Sequence, residues 1–126
     1  MKKYLLVLFL IFLGFEGFSQ ETKPEYEGGN AIFANKFMEM LYAYVDVQSY
    51  AIEGIVTYLI NIDKTGKASH LDILPNIKNG DMFVDDSQYA LKKVKGKWKP
   101  ATKDGVAISS KYMMKVNFKS NSYDHD

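Results

Sequence analysis

Residues 55–67, Ile-Val-Thr-Tyr-Leu-Ile-Asn-Ile-Asp-Lys-Thr-Gly-Lys, decide the fold of this 126-residue chain. β-Branched and aromatic side chains fill most of the first eight positions, which is typical of a strand. Because both alternating sets of side chains are largely apolar, we expect this strand to be central in its sheet and covered in part on both faces. Residues 63–66 then predict a hairpin turn, with Gly66 at a position of positive φ.

Two further segments are predicted to pair with the strand at 55–62. Residues 67–74 form the return strand of the hairpin, and Pro75 ends it because proline cannot donate a ladder hydrogen bond. Residues 108–118 alternate between apolar and lysine side chains, which predicts a strand with one buried face and one lysine-bearing outer face. The apolar set of this last strand is Tyr112, Met114, Val116 and Phe118.

Two helices complete the predicted domain. The first has apolar residues at i, i+4, i+7 and i+8 spacing, with Asn30 as its predicted N-cap, and the second is capped by Asp85 or Asp86 and stops at Gly96. The order α-β-β-α-β predicts an α+β domain of two layers, with helices packed on a three-stranded antiparallel sheet. The apolar positions of the helices are Phe33, Phe37, Met40, Leu41 and Tyr44 in the first, and Tyr89, Ala90, Leu91 and Val94 in the second.

Aromatic and lysine residues allow further interpretations. Trp98 stands close to a proline, and we expect it to fill the small core rather than to form a binding platform. The lysine run at 92–99 is either a patch for acidic partners or the solvated end of a helix, where cations suit the helix dipole, and we favour the second. Four tyrosines are candidates either for the core or for stacking on a glycan: Tyr42, Tyr44, Tyr50 and Tyr58.

Composition excludes several classes of function. The chain is 47% apolar and 25% charged with a formal net charge of +1, which indicates one globular domain and argues against nucleic-acid binding. It contains no cysteine and no arginine, so thiolate chemistry and arginine clamps are excluded. No phosphate-binding loop, hydrolase motif or zinc motif occurs, and the pair of His70 and Asp72 lacks a third metal ligand. We therefore expect a non-enzymatic protein that uses no cofactor and no metal.

The N-terminal segment has the order of a secretory signal peptide. Lys2 and Lys3 precede an apolar run at 4–15, and small residues follow at the positions read by a signal peptidase. The run is shorter than the ~20 residues of a transmembrane helix, so we expect cleavage after Ser19, no membrane span in the mature chain, and export to the periplasm or outside the cell. The predicted organisation is a signal peptide at 1–19, an N-terminal arm at 20–27, a folded domain at 28–119 and a flexible tail at 120–126.

The last strand is the candidate functional site. If the strand at 55–62 lies in the middle of three, the strand at 108–118 forms an edge, and its unpaired N–H and C=O groups can receive an extended peptide. A plain edge, blunted by its lysines against self-pairing, is one alternative, and a homodimer through the edge is another. The candidate partner-binding residues are Tyr112, Met113, Met114, Lys115, Val116, Asn117 and Phe118.

Three stretches together resemble the C-terminal domain of TonB, the energy-transducing protein of bacterial envelopes. Residues 26–33 are similar to an aromatic-Pro-Gly-Gly opening found in that family, with Glu27 in the place of the proline. Residues 52–67 are similar to its glycine-led strand and Asp-x-x-Gly hairpin. Residues 90–106 are similar to its second helix, its Trp-x-Pro segment and the approach to its final strand. The resemblance spans most of the chain after the predicted signal peptide.

This resemblance implies an α+β fold whose final strand pairs with the TonB box of outer-membrane receptors. The partner contact would then fall on residues 112–118. A full transducer also has a transmembrane anchor and a long proline-rich spacer, and this sequence shows neither, so we expect a free-standing relative that competes with or assists a transducer. The alternative is an envelope structural or glycan-binding domain that keeps the fold without binding receptors.

Overall fold

The structure of the chain, a computed structural model, describes residues 20–77 and 80–118. The predicted signal peptide at 1–19 and the predicted tail at 120–126 lie outside the described residues. Within the described residues, a short 3-10 helix at Val47–Tyr50 accompanies the helices and strands. In chain order these are β1 (Glu21–Thr22), β2 (Glu25–Tyr26), α1 (Asn30–Tyr44), β3 (Ile55–Ile62), β4 (Ala68–Leu74), α2 (Gly80–Lys92), β5 (Trp98–Lys99), β6 (Ala101–Lys103), β7 (Val106–Ile108) and β8 (Ser110–Asn117).

The main sheet has three antiparallel strands in the order β4-β3-β8. In its register, Tyr58 of β3 lies opposite Ile73 of β4 and Met114 of β8. The predicted α+β fold class is therefore confirmed, with the hairpin partner on one side of the central strand and the last strand on the other. Two smaller sheets, with the orders β1-β6-β7 and β2-β5, were not predicted from the sequence.

Both helices pack on one face of the main sheet. Phe37 and Leu41 of α1 and Phe83 of α2 share a core with the inward-facing residues of β3. These inward-facing residues are Val56, Tyr58, Ile60 and Ile62, each at most 2% exposed. On the opposite face Ile55 is 58% exposed. Further along this face Thr57, Leu59 and Asn61 are half-buried. β3 is therefore central, as predicted, and its second face is covered only in part, since both helices lie on the first.

The predicted hairpin turn between β3 and β4 is confirmed. Asp63 Oδ1 accepts hydrogen bonds from the Thr65 hydroxyl, from the Thr65 N–H at 2.9 Å and from the Lys67 N–H at 3.0 Å. These bonds, the one from the Thr65 hydroxyl above all, lower the pKa of the Asp63 carboxyl. Gly66 has a φ of 86°, and its carbonyl accepts a hydrogen bond from the Trp98 N–H at 3.2 Å, which ties the turn to β5.

The predicted N-cap of α1 is wrong. Gly29 occupies the N-cap position, and Asn30 is the first residue of the helix. The Asn30 side chain instead accepts a hydrogen bond from the Tyr26 N–H at 2.8 Å and donates one to the Pro24 carbonyl at 3.3 Å. The Asn30 side chain, which was predicted to cap the helix, therefore bonds to the backbone of the segment before it.

Both predicted boundaries of α2 are also wrong. The helix begins where the Gly80 N–H donates to the Ile77 carbonyl at 2.8 Å, so Asp85 and Asp86 lie inside it. It ends before Gly96, whose φ is 115°. A Cβ on Gly96 would collide with the buried phenol ring and hydroxyl of Tyr26. Gly96 is therefore needed for close packing against the arm rather than for stopping the helix.

The predicted arm at 20–27 is extended, but it pairs with the domain, since β1 pairs with β6 and β2 with β5. Tyr26 is 3% exposed, and its ring lies 5.3 Å from that of Phe33 and 5.5 Å from that of Trp98, centroid to centroid. Its hydroxyl donates to the Lys95 carbonyl. Trp98 is itself 4% exposed, which confirms the prediction that it fills the core.

We expect Gly66→Ala to destabilise the fold far more than Gly105→Ala. Both glycines have positive φ, 86° and 82°, where alanine costs about 1–2 kcal/mol. A Cβ on Gly66 would also collide with the Trp98 carbonyl, whereas nothing lies within 4 Å of a Cβ on Gly105. Urea denaturation should give a loss of unfolding free energy at least about twice as large for Gly66→Ala. Equal losses for the two variants would contradict the close approach of the turn to β5.

Candidate functional site

The predicted partner-binding residues lie on β8 and directly after it. Tyr112 to Asn117 belong to the strand, and Phe118 follows it. Met113 is 59% exposed and Lys115 is exposed, so these two side chains lie on the outer face. The inward-facing set is Met114, Val116 and Phe118, each at most 7% exposed, with Tyr112 half-buried. The accessible parts of β8 are therefore the backbone at its free side and the side chains of its outer face.

Aromatic packing and a backbone hydrogen bond hold β8 from its buried side. The ring centroid of Tyr112 lies 5.7 Å from that of Phe33 and 5.2 Å from that of Trp98. This burial raises the pKa of the Tyr112 phenol. At the other end, the Phe118 N–H donates to the Gly54 carbonyl at 2.9 Å. The strand is thus fixed at both ends.

β8 has an open edge between residues 110 and 116. It pairs with β3 along its whole length, from Ser110 opposite Ile62 to Asn117 opposite Ile55. No second strand pairs with β8 in the part of the chain that the structure describes. Because alternate residues of an antiparallel strand direct their N–H and C=O groups away from the existing partner, β8 presents a row of such groups to its free side.

The opposite edge of the main sheet, β4, is closed by a side chain. The Leu71 N–H donates to Gln88 Oε1 at 2.9 Å, and Gln88 Nε2 donates to the Ser69 carbonyl at 3.2 Å. The amide of Gln88, which comes from α2, supplies one donor and one acceptor, as the backbone of a neighbouring strand would. A peptide adding to the middle of β4 would have to displace it. Gln88 was not predicted from the sequence, because nothing in its spacing from β4 indicates the contact.

Two surface pairs involve residues that the sequence analysis singled out. His70 Nε2 lies 3.4 Å from Asp72 Oδ2, with both side chains more than half exposed. No group of three or more His, Asp or Glu side chains that could hold a metal occurs within residues 20–77 and 80–118. The Tyr50 hydroxyl donates to Asp86, and this hydrogen bond raises the pKa of Tyr50 to about 12.

The tyrosines divide between core and surface. Tyr58 is fully buried, whereas Tyr44 and Tyr89 are 51% and 49% exposed and form an edge contact with their ring centroids 5.6 Å apart. Lys93, at the end of α2, places its Nζ 4.9 Å from the Tyr89 centroid and 5.4 Å from the Tyr44 centroid. This part of the lysine run therefore lies against aromatic rings beside the helix terminus.

The fold and its edges define a class of protein: a small α+β domain with helices on one face of a three-stranded sheet and one strand edge open. A family model described as Gram-negative bacterial TonB protein C-terminal matches residues 46–120, more than half of the chain. The chain therefore belongs to the TonB C-terminal family, which confirms the resemblance stated from the sequence. No curated protein and no solved structure gives a significant match.

Membership of this family indicates the general role of the protein. Members of this family are non-enzymatic protein-interaction domains of the bacterial envelope, linked to TonB. The matched residues include β3, β4, α2 and β8, so both edges of the main sheet belong to the family domain. In the described residues, neither helix is long and apolar enough to cross a membrane.

We expect Gln88→Ala to open the edge of β4. The variant removes the two hydrogen bonds that Gln88 makes to the Leu71 N–H and the Ser69 carbonyl, each contributing about 0.5–1.5 kcal/mol net, and it favours pairing between copies. Analytical ultracentrifugation should show stronger concentration-dependent association than for the unaltered protein. The matched control is Gln48→Ala, at an exposed glutamine of the 3-10 helix, which should sediment unchanged. Identical sedimentation of the two variants would show that Gln88 does not protect the edge.

Proposed function

We propose that this protein binds an extended peptide by strand addition to β8 in the bacterial periplasm. The observation that carries the proposal is the asymmetry of the main sheet. Among the described residues β8 has one strand neighbour, whereas the middle of β4 is occupied by Gln88. Strand addition requires an open edge, since the bound peptide becomes a further strand of the sheet. We place the contact on the residues from Tyr112 to Phe118. The hydrogen bonds would be made by alternate residues such as Met113 and Lys115, because the bond between Phe118 and Gly54 sets a register in which the backbone groups of Met114 and Val116 face β3.

The packing behind β8 supports this mode of binding. The contacts of Tyr112 with Phe33 and Trp98 fix the strand before a peptide arrives, so the cost of ordering falls mainly on the peptide. Each backbone hydrogen bond contributes about 0.5–1.5 kcal/mol net. Several such bonds would together offset part of the entropy cost of association, and the side chains beside them would select the partner.

The partner that we propose is the TonB box of an outer-membrane receptor. Membership of the TonB C-terminal family supports this choice. Export through the signal peptide predicted at 1–19 would bring the domain to the periplasmic side of such receptors. There the protein would compete with or assist a full-length transducer in TonB-dependent transport.

Nuclear Overhauser spectroscopy tests strand addition directly. Labelled protein is mixed with an unlabelled ten-residue peptide copied from the TonB box of a receptor of the same bacterium. We expect backbone cross-peaks between the peptide and residues 111–115, and none between the peptide and β4. Cross-peaks to β4, or no contact with the main sheet at saturating peptide, would overturn the proposal.

Backbone N-methylation of the peptide supplies the matched control. Methyl groups on the alternate amides that face β8 remove the donors of the new ladder, and they should abolish binding. The same number of methyl groups on the intervening amides leaves those donors intact, and binding should persist. Equal affinities of the two methylated peptides would show that binding does not use a strand ladder.

A glycan-binding domain is the second candidate, and the half-exposed pair of Tyr44 and Tyr89 beside Lys93 favours it. Aromatic faces are a common platform for apolar faces of ligands, and a lysine can bind a carboxylate. Co-sedimentation with purified peptidoglycan, lost in Tyr44→Ala, would support this candidate. If the protein does not co-sediment with peptidoglycan, glycan binding is overturned and peptide binding is the remaining candidate function.

A further inference from the structure

The outer face of β8 carries an alternating row of exposed side chains, Lys111, Met113 and Lys115. Their cross-strand neighbours on β3 are Asn61, Leu59 and Thr57, all uncharged. Within residues 20–77 and 80–118 neither lysine forms an ion pair. The sheet itself therefore leaves two positive charges unbalanced at the open edge, on either side of an apolar residue.

A strand added to β8 would continue this row. Directly opposite residues of neighbouring strands have Cβ atoms about 4.5–5.5 Å apart, and alternate residues share a face. Three positions of the bound segment, each two residues from the next, would therefore lie opposite Lys111, Met113 and Lys115. Opposite charges at such positions stabilise the pair, whereas like charges destabilise it.

We propose that the segment bound at β8 carries five successive residues in the order acidic, any, apolar, any, acidic. The inference rests on the proposed function and specifies its partner. The outer acidic residues would lie opposite Lys111 and Lys115, and the central residue opposite Met113. Because the order is the same in both directions, it holds whether the segment runs parallel or antiparallel to β8.

The central position is apolar because of what lies beside it. Met113 is 59% exposed, and its neighbour across the sheet is Leu59, which is half-buried on the same face. Together they form a small apolar surface between the two lysines. An apolar side chain of the partner would remove part of this surface from water together with its own apolar area, whereas a polar one would lose its own hydration there.

The same row argues against a second copy of β8 as the occupant. In an antiparallel pair of two such strands centred on Met113, Lys111 of one copy would lie opposite Lys115 of the other. On each side of Met113 a lysine of one copy would then face a lysine of the other, and like charges at such positions are unfavourable. The charge pattern therefore favours an acidic partner over self-pairing through this edge.

Three labelled peptides with identical flanks test the inference by fluorescence anisotropy. Their central residues are Glu-Thr-Val-Thr-Glu, Gln-Thr-Val-Thr-Gln and Lys-Thr-Val-Thr-Lys. Two exposed ion pairs correspond to roughly tenfold in affinity, so we expect the glutamate peptide to bind about tenfold tighter than the glutamine peptide. The lysine peptide should bind most weakly. At ~1 M salt the difference should shrink, because ions screen exposed charges.

The double variant Lys111→Glu/Lys115→Glu should reverse the order of the three peptides. Its control, Lys64→Glu/Lys103→Glu, changes the net charge equally at two exposed lysines outside β8 and should keep the original order. Circular dichroism verifies that both variants are folded before binding is measured. A reversed order in both double variants would mean that net charge, rather than the row on β8, selects the partner, and would overturn the inference.

The outcomes separate this inference from the proposed function. Equal binding of all three peptides would overturn the acidic pattern and leave strand addition standing. Absence of binding by all three, together with a negative result for the receptor peptide, would overturn both. Preference for the glutamate peptide that persists in the Lys111→Glu/Lys115→Glu variant would place the recognition elsewhere on the molecule.

Discussion

A three-stranded sheet has two edges, and in this protein one side chain makes them different. The amide of Gln88 bonds to one N–H and one C=O of β4 and so satisfies the middle of that edge. β8 has no equivalent cover in the described residues, and its alternate backbone groups between 110 and 116 stay available. The proposal that a further strand adds to β8 rather than to β4 depends on this difference.

The rest of the fold supports the open edge from behind. Tyr26 of the arm, Phe33 of α1 and Trp98 of β5 form one aromatic cluster that reaches Tyr112 of β8. Gly96 and Gly66 allow the close approaches that this cluster and the adjoining turn require. The arm and the first helix precede the residues matched by the family model. Tyr26 and Phe33 therefore lie outside the matched region, yet they belong to the same core as the matched strands.

Local sequence patterns predicted the main sheet, whereas they did not predict contacts between segments that are distant in sequence. The strand at 55–62 and its turn depend on neighbouring residues, and both lie where they were predicted. The last strand, predicted at 108–118, spans Ser110–Asn117, because Ile108 belongs to β7. The predicted cap at Asn30 is wrong because its side chain bonds to the backbone of the turn just before the helix, and the predicted cap at Asp85 is wrong because its helix begins at Gly80. Gln88 gave no signal, since a side chain bound to a distant strand follows no periodicity.

Amide hydrogen exchange of the free protein tests the difference between the two edges most directly. If Gln88 closes β4, the Leu71 amide should exchange slowly although it lies on an edge strand. The amides of β8 between 110 and 116 that face away from β3 should exchange much faster, because water is their partner. Exchange of the Leu71 amide as fast as that of the outward amides of β8 would contradict the account. So would equal protection of both edges.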